Sequence, residues 1–126
     1  MQSKLNTHPL PICYIAGKIT GDEENALHRF AKAKRMLGEK YEVVYNPFDL
    51  PKTAKIKRLE REIKLLLSKK LRKSLEEELW SEYMRVCIRY LMKCDVAYFL
   101  PDWKDSRGAK VEHQLCVDLG IEIKYL

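Results

Sequence analysis

Residues 95–120 read DVAYFLPDWKDSRGAKVEHQLCVDLG. An apolar run, Val96 to Leu100, follows an acid and ends at Pro101, whose ring removes the N–H that a ladder would need. The loop beyond it carries Asp102, Trp103, Asp105, Ser106 and Gly108. Glu112 then shares helical spacing with Leu115, Cys116 and Leu119, which predicts a helix from about Gly108 to Leu119 with Gly120 as its stop. Strand, polar loop and helix make half of a βαβ unit. Ligands of open α/β sheets bind beyond the carboxyl ends of the strands. Polar groups and an aromatic side chain therefore collect where such a fold keeps its site.

Outward from this stretch the pattern repeats. Pro11 to Ala16 (PICYIA) predicts a first central strand, followed by the loop Gly17 to Gly21. Thr20 and Glu23 have capping-box spacing, so a helix should start near Gly21 or Asp22. Ala26, Phe30, Ala33 and Leu37 give that helix a buried face, and Gly38 is its expected stop. Tyr41 to Tyr45 predicts a second strand, closed by Asn46-Pro47. Residues 54–73 predict a basic amphipathic helix with Ile56, Leu59, Ile63, Leu67 and Leu71 in one stripe. Ser74 and Glu77 offer a fresh cap, and a helix with Trp80, Met84, Cys87, Ile88 and Leu91 inward should run from Leu75 to Lys93. Ile121 to Tyr125 predicts the last strand. Alternating strands and helices imply a parallel sheet covered on both faces.

At 126 residues, 46% of them apolar, the chain has the size and balance of a single domain, 1–126. It lacks the apolar run of about 20 residues that a membrane span needs. Met1 to Pro9 is polar, with no signal-peptide centre, so a cytoplasmic protein is expected. Cys13, Cys87, Cys94 and Cys116 are scattered and read as buried thiols. With His8, His28 and His113 they show no metal-ligand spacing, so neither a metal nor another cofactor is expected. The net charge is +6, but residues 52–74 hold ten of the 24 Lys/Arg and two of the 18 Asp/Glu, leaving 14 basic and 16 acidic residues elsewhere, a net of −2. Basicity belongs to one segment. That segment has no aromatic from 52 to 79 on which single strands could stack, and nucleic acid is not expected as a partner.

Each candidate site residue has two readings. A carboxylate on an apolar stripe is costly to bury unless something pairs or uses it, which singles out Glu112; at the stripe's edge it would reach water or a lysine. Asp95 is either a working acid or a turn residue. Ser106-Arg107-Gly108 can offer N–H groups to an anion or serve as an ordinary cap. Trp103 can stack on a base or plug the end of the sheet. Tyr14 can be core or place its hydroxyl in a cleft.

Taken together, YIAGKITG at 14–21, NP at 46–47, WSEYMR at 80–85 and CDVAYFLPDW…S.GA..E…LGI.I.Y from 94 resemble a known pattern. The chain is similar to the short branch of the nucleoside 2-deoxyribosyltransferase-like superfamily, except at 52–75, which looks like a basic helical insertion. The resemblance implies a flavodoxin-like or Rossmann-like three-layer α/β sandwich with a mainly parallel sheet of four or more strands. It also implies cleavage or exchange of N-glycosidic bonds of nucleosides or nucleotides. Glu112 would be the nucleophile, held ionised by the nearby helix N-terminus, with Asp95 and Tyr14 steering the departing base. Ser106 and Gly108 would form the sugar or phosphate loop, with Gly17 and Lys18 across the cleft. Asp102 or Asp105 would hold sugar hydroxyls or the base edge. Where the family's transferases carry an Asp-x-Gly-Thr type of loop, this chain has Asp105-Ser106-Arg107-Gly108-Ala109, and Arg107 with Lys18 favours a 5′-monophosphate. A homo-oligomer is expected by analogy, with Leu65, Leu66 and Leu67 broadening the inserted helix towards a second chain. The alternative is a non-catalytic nucleotide-binding or interaction module.

Overall fold

Four short runs, β1 (Ile12–Ala16), β2 (Val43–Tyr45), β3 (Val96–Phe99) and β4 (Glu122–Tyr125), pair in the order β2-β1-β3-β4, every pair parallel. The computed structural model describes residues 11–126, so the polar stretch Met1 to Pro9, with His8, lies outside the described residues. Period-two alternation explains both faces. Cys13, Ile15, Val96 and Tyr98 meet Ala26, Phe30, Ala33 and Leu37 of α1 (Glu23–Leu37). Tyr14, Ala16, Ala97 and Phe99 point the other way, onto Leu91 of α3 (Lys69–Leu91) and onto Ala109 and Cys116 of α4 (Arg107–Leu119). Central strands buried on both faces are what a parallel sheet requires. The molecule is an α/β three-layer structure of the flavodoxin-like kind. Among the described residues no helix is long and apolar enough to cross a membrane.

The chain leaves β1 towards β2 on one flank and returns as β3 on the other. The crevice between the carboxyl ends of β1 and β3 is therefore the switch point where such sheets bind ligands. Two loops meet there closely. A Cβ on Gly17 would lie 2.9 Å from Leu100 Cδ1 and 3.2 Å from Asp102 Oδ1. Gly17→Ala should cost about 1–3 kcal/mol through this overpacking, read as a lower urea midpoint.

Local signals depart from the structure at the cap of α1, in the basic segment and on the inward face of α4. Thr20 and Glu23 form no capping box: Asp22 is the N-cap of α1, its carboxylate taking Asn25 Nδ2 at 2.9 Å and Arg29 Nη1 at 3.0 Å. Gly38 does end α1, but in right-handed backbone (φ −62), whereas Gly120 ends α4 in the left-handed region (φ 72) that favours glycine. The larger departure is the predicted 54–73 helix, which is broken. α2 (Ala54–Leu65) stops, and Ser68, accepting from Leu71 N, caps α3 well before the solvent-exposed Ser74 expected to do so. The two helices fold into a hairpin tied by Lys55 to Glu78 and Glu82 and by Tyr83 to Glu60. Of the expected stripe, Ile56 and Leu59 are buried, but Leu67 is 96% exposed and Leu71 58%. In α4 the inward residues are Ala109, Glu112 and Cys116, while Leu119 faces out.

Candidate active site

Alternation along β1 sends Tyr14 towards α3 and α4, and the three- and four-residue spacing of α4 brings Glu112 to meet it. The phenol donates to Glu112 Oε2 at 2.6 Å, and both groups are buried. Burial pushes the Glu112 carboxyl from its ordinary 4.5 up to about 7, and the bond from Tyr14 offsets only part of that. The expected stabilisation of the carboxylate by the helix N-terminus does not prevail, because Glu112 lies beyond the first turn of α4 and desolvation dominates. Burial, then the Glu112 charge, hold Tyr14 well above its usual range, so it is a neutral donor. The same two causes push Cys87 up to about 12, which removes thiolate chemistry from the cluster.

Tyr14 and Glu112 form the floor of a cavity of about 630 Å³. Gly17, Ile19 and Glu23 border it from the loop after β1 and the start of α1, and Pro47 and Phe48 from the turn after β2. Asn46 shapes that turn by accepting from Phe48 N at 3.1 Å. The far wall is the helical hairpin: Glu60 from α2, and Glu76, Trp80, Tyr83, Met84 and Cys87 from α3. Of the segment 52–75, which looks like an insertion in sequence, Lys52 and Glu60 thus line the site. Burial acts to raise the Glu60 carboxyl, but hydrogen bonds from Tyr83 and Lys52 outweigh it and hold the group below its ordinary value.

Of the residues expected from the sequence, Tyr14, Gly17 and Glu112 come together. Asp95 does not. It precedes β3, accepts from Ile12 N at 2.9 Å, and so pins the amino edge of the sheet, the end away from the cavity. Lys18 contributes its backbone, donating to Asp102 Oδ1 at 3.1 Å. Asp102 also pairs with Arg29 at 3.0 Å, so its carboxylate joins the two loops and α1 instead of facing the cavity. Trp103 turns to the other side of α4, stacked on His113 with ring centroids 4.0 Å apart and edge-on to Phe99. Asp105 is exposed, and Ser106 is an ordinary cap, accepting from Ala109 N at 3.0 Å. Gly108 lets α4 approach Met84, since a Cβ there would lie 2.8 Å from its sulfur. Arg107 stacks over Trp80 and pairs with Glu77, outside the cavity lining.

Sequence reasoning misses Glu60, Trp80, Tyr83 and Phe48 as site residues. A signal for two of them is present in α3. Helical spacing assigns Trp80 to the core together with Met84 and Cys87, and Tyr83 lies beside them. A tyrosine and a tryptophan each carry a polar group that a dry core serves poorly. Among the described residues, no three His, Cys, Asp or Glu are grouped so as to hold a metal ion.

A family model described as a domain of unknown function, DUF4406, matches residues 11–125, so the chain belongs to that family. No curated protein and no solved structure matches it.

Proposed function

We propose that this DUF4406 domain cleaves the N-glycosidic bond of a nucleoside, with Glu112 as the nucleophile. The observation that carries this reading is the buried Glu112, held by Tyr14 on the floor of a cavity large enough for a nucleoside and walled by Phe48, Trp80 and Tyr83. One carboxylate oxygen is oriented by the phenol and the other is left to attack. In its ionised form Glu112 would bond to the anomeric carbon while the base departs with the electrons of the C–N bond. Water or a second base would then release the sugar. Trp80 and Tyr83 offer faces on which a base can stack, and Glu23, Glu60 and Glu76 offer acceptors to sugar hydroxyls.

The placement of charge supports a free nucleoside over the 5′-monophosphate. Lys18 and Arg107, the cations behind the phosphate expectation, do not line the cavity. Lys52 does, but it is already paired with Glu60, and four glutamates share the lining. A dianionic phosphate would meet net negative charge.

The test is base release from a panel of nucleosides and 5′-monophosphates, wild type against Glu112→Gln. Release from nucleosides that depends on Glu112 supports the proposal. If no substrate is cleaved but a nucleotide raises Tm, the domain is a binding module and the proposal fails.

Tyr14→Phe removes the one bond that draws the Glu112 value down, so the acidic limb of kcat/KM should move from about 7 to higher pH. A hydrogen bond to a charged group, about 1.5–3 kcal/mol, corresponds to roughly one to two pH units. A pH–rate profile checks this; an unmoved limb would mean that Glu112 is not the group titrating.

A further inference from the structure

The hairpin tip pairs exposed leucines with an excess of positive charge. Leu65, Leu67 and Leu71 are 82%, 96% and 58% exposed. Between Glu62 and Glu76 the chain has Lys64, Lys69, Lys70, Arg72 and Lys73 and no acid. Among the described residues Lys64, Lys69, Lys70 and Lys73 take part in no ion pair. Nor is the tip a frayed end. Leu66 N donates to Ile63 O, Arg72 Nη2 donates to Leu66 O, and Ser68 caps α3. The turn is held by these bonds while Leu65 and Leu67 lie in solvent.

We propose that this tip docks on an anionic lipid surface, the leucines entering the acyl boundary and the lysines meeting the headgroups. Such a surface presents both halves of the match in the right order, negative charge outside and hydrocarbon beneath. A second copy meeting tip to tip would bring five cations against five, which disfavours the association that the three leucines suggest in sequence. Nucleic acid would match the lysines but leave the leucines in water. That no helix crosses a membrane does not bear on a segment that lies on one.

The full chain would be sedimented with vesicles of phosphatidylcholine alone and of phosphatidylcholine with phosphatidylglycerol, at low and high salt. Binding is expected only to the anionic vesicles, weakened by salt and about fivefold lower for each of Lys69→Ala and Lys70→Ala. Leu65→Ser with Leu67→Ser should abolish it without lowering Tm, since both side chains are already in water. Absence of binding at low salt would overturn the proposal. So would a leucine double variant that binds as wild type does, which reduces the tip to simple charge attraction. A chain that ignores vesicles but self-associates through the leucines would assign the tip to a second copy, and the proposal would fail.

Discussion

Glu112→Gln should abolish base release while making the protein more stable at alkaline pH. The two effects have one cause. Glutamine keeps the shape and an oxygen for the Tyr14 phenol, but it has no charge to desolvate and no lone pair basic enough to attack carbon. Loss of the nucleophile should lower kcat by several orders of magnitude, each tenfold being about 1.4 kcal/mol of barrier. On the stability side, the folded value of about 7 lies above the ordinary 4.5. Between these values the folded protein binds more protons than the unfolded chain. The associated stability is whole below 4.5 and is lost as pH rises through 7. Ionising Glu112 in the folded state thus costs about 3 kcal/mol at pH 8, at 1.36 kcal/mol per unit. The variant escapes that cost, so its Tm should exceed wild type by roughly 10 °C at pH 8 and equal it near pH 4. Thermal melts across pH check this alongside the activity assay. A variant that is inactive yet no more stable at pH 8 would show that Glu112 is better solvated than its 5% exposure implies.

The largest loss of stability is expected from Phe30→Ala. Phe30 is completely buried on α1, against Cys13, Ile15 and Tyr98 of the sheet, and its ring meets Phe48 edge-to-face at 5.4 Å. Removing the ring takes away its transfer free energy and leaves a hole that rigid strands cannot close, about 3–5 kcal/mol in all. That is a large part of the roughly 5–15 kcal/mol that holds a domain together. The urea midpoint should fall with little change in slope. Because Phe48 also lines the cavity, KM should rise even where the variant is still folded. A loss below about 1 kcal/mol would mean that α1 can settle onto the sheet without its central ring.

Much of the fold is legible locally. The alternation in Cys13–Ala16 and Val96–Phe99, the inward residues of α1, and Gly120 all report on neighbours in the chain. Glu112 is legible too, because a carboxylate among the apolar residues of one helix face is an anomaly that spacing alone exposes. Asp95 is a different matter. A residue that opens a parallel strand stands at the amino edge of the sheet, so its distance from a site at the carboxyl edge is already implied by strand direction. Resemblance draws it into the site, and register keeps it out. Trp103 and Asp102 lie in the expected loop, yet stacking on His113 and pairing with Arg29 turn both away from the cavity.

Local pattern left Tyr14 open between core and cleft, and only resemblance drew it to the site. The pattern was sufficient for the elements outside the basic segment, for their parallel arrangement and for marking Glu112, since periodicity depends on residues two to four apart. It was not sufficient for the basic segment, whose place as a hairpin forming the cavity wall depends on long-range packing. In local terms Ser74, with Glu77 three residues on, is the better cap, since Ser68 has Leu71 at that place. What selects Ser68 is the folding of α3 back along α2, where Lys55 reaches Glu78 and Glu82 and Tyr83 reaches Glu60. Each of these partners is several helical turns away along the chain, and no local pattern records a choice made by contacts across such a span.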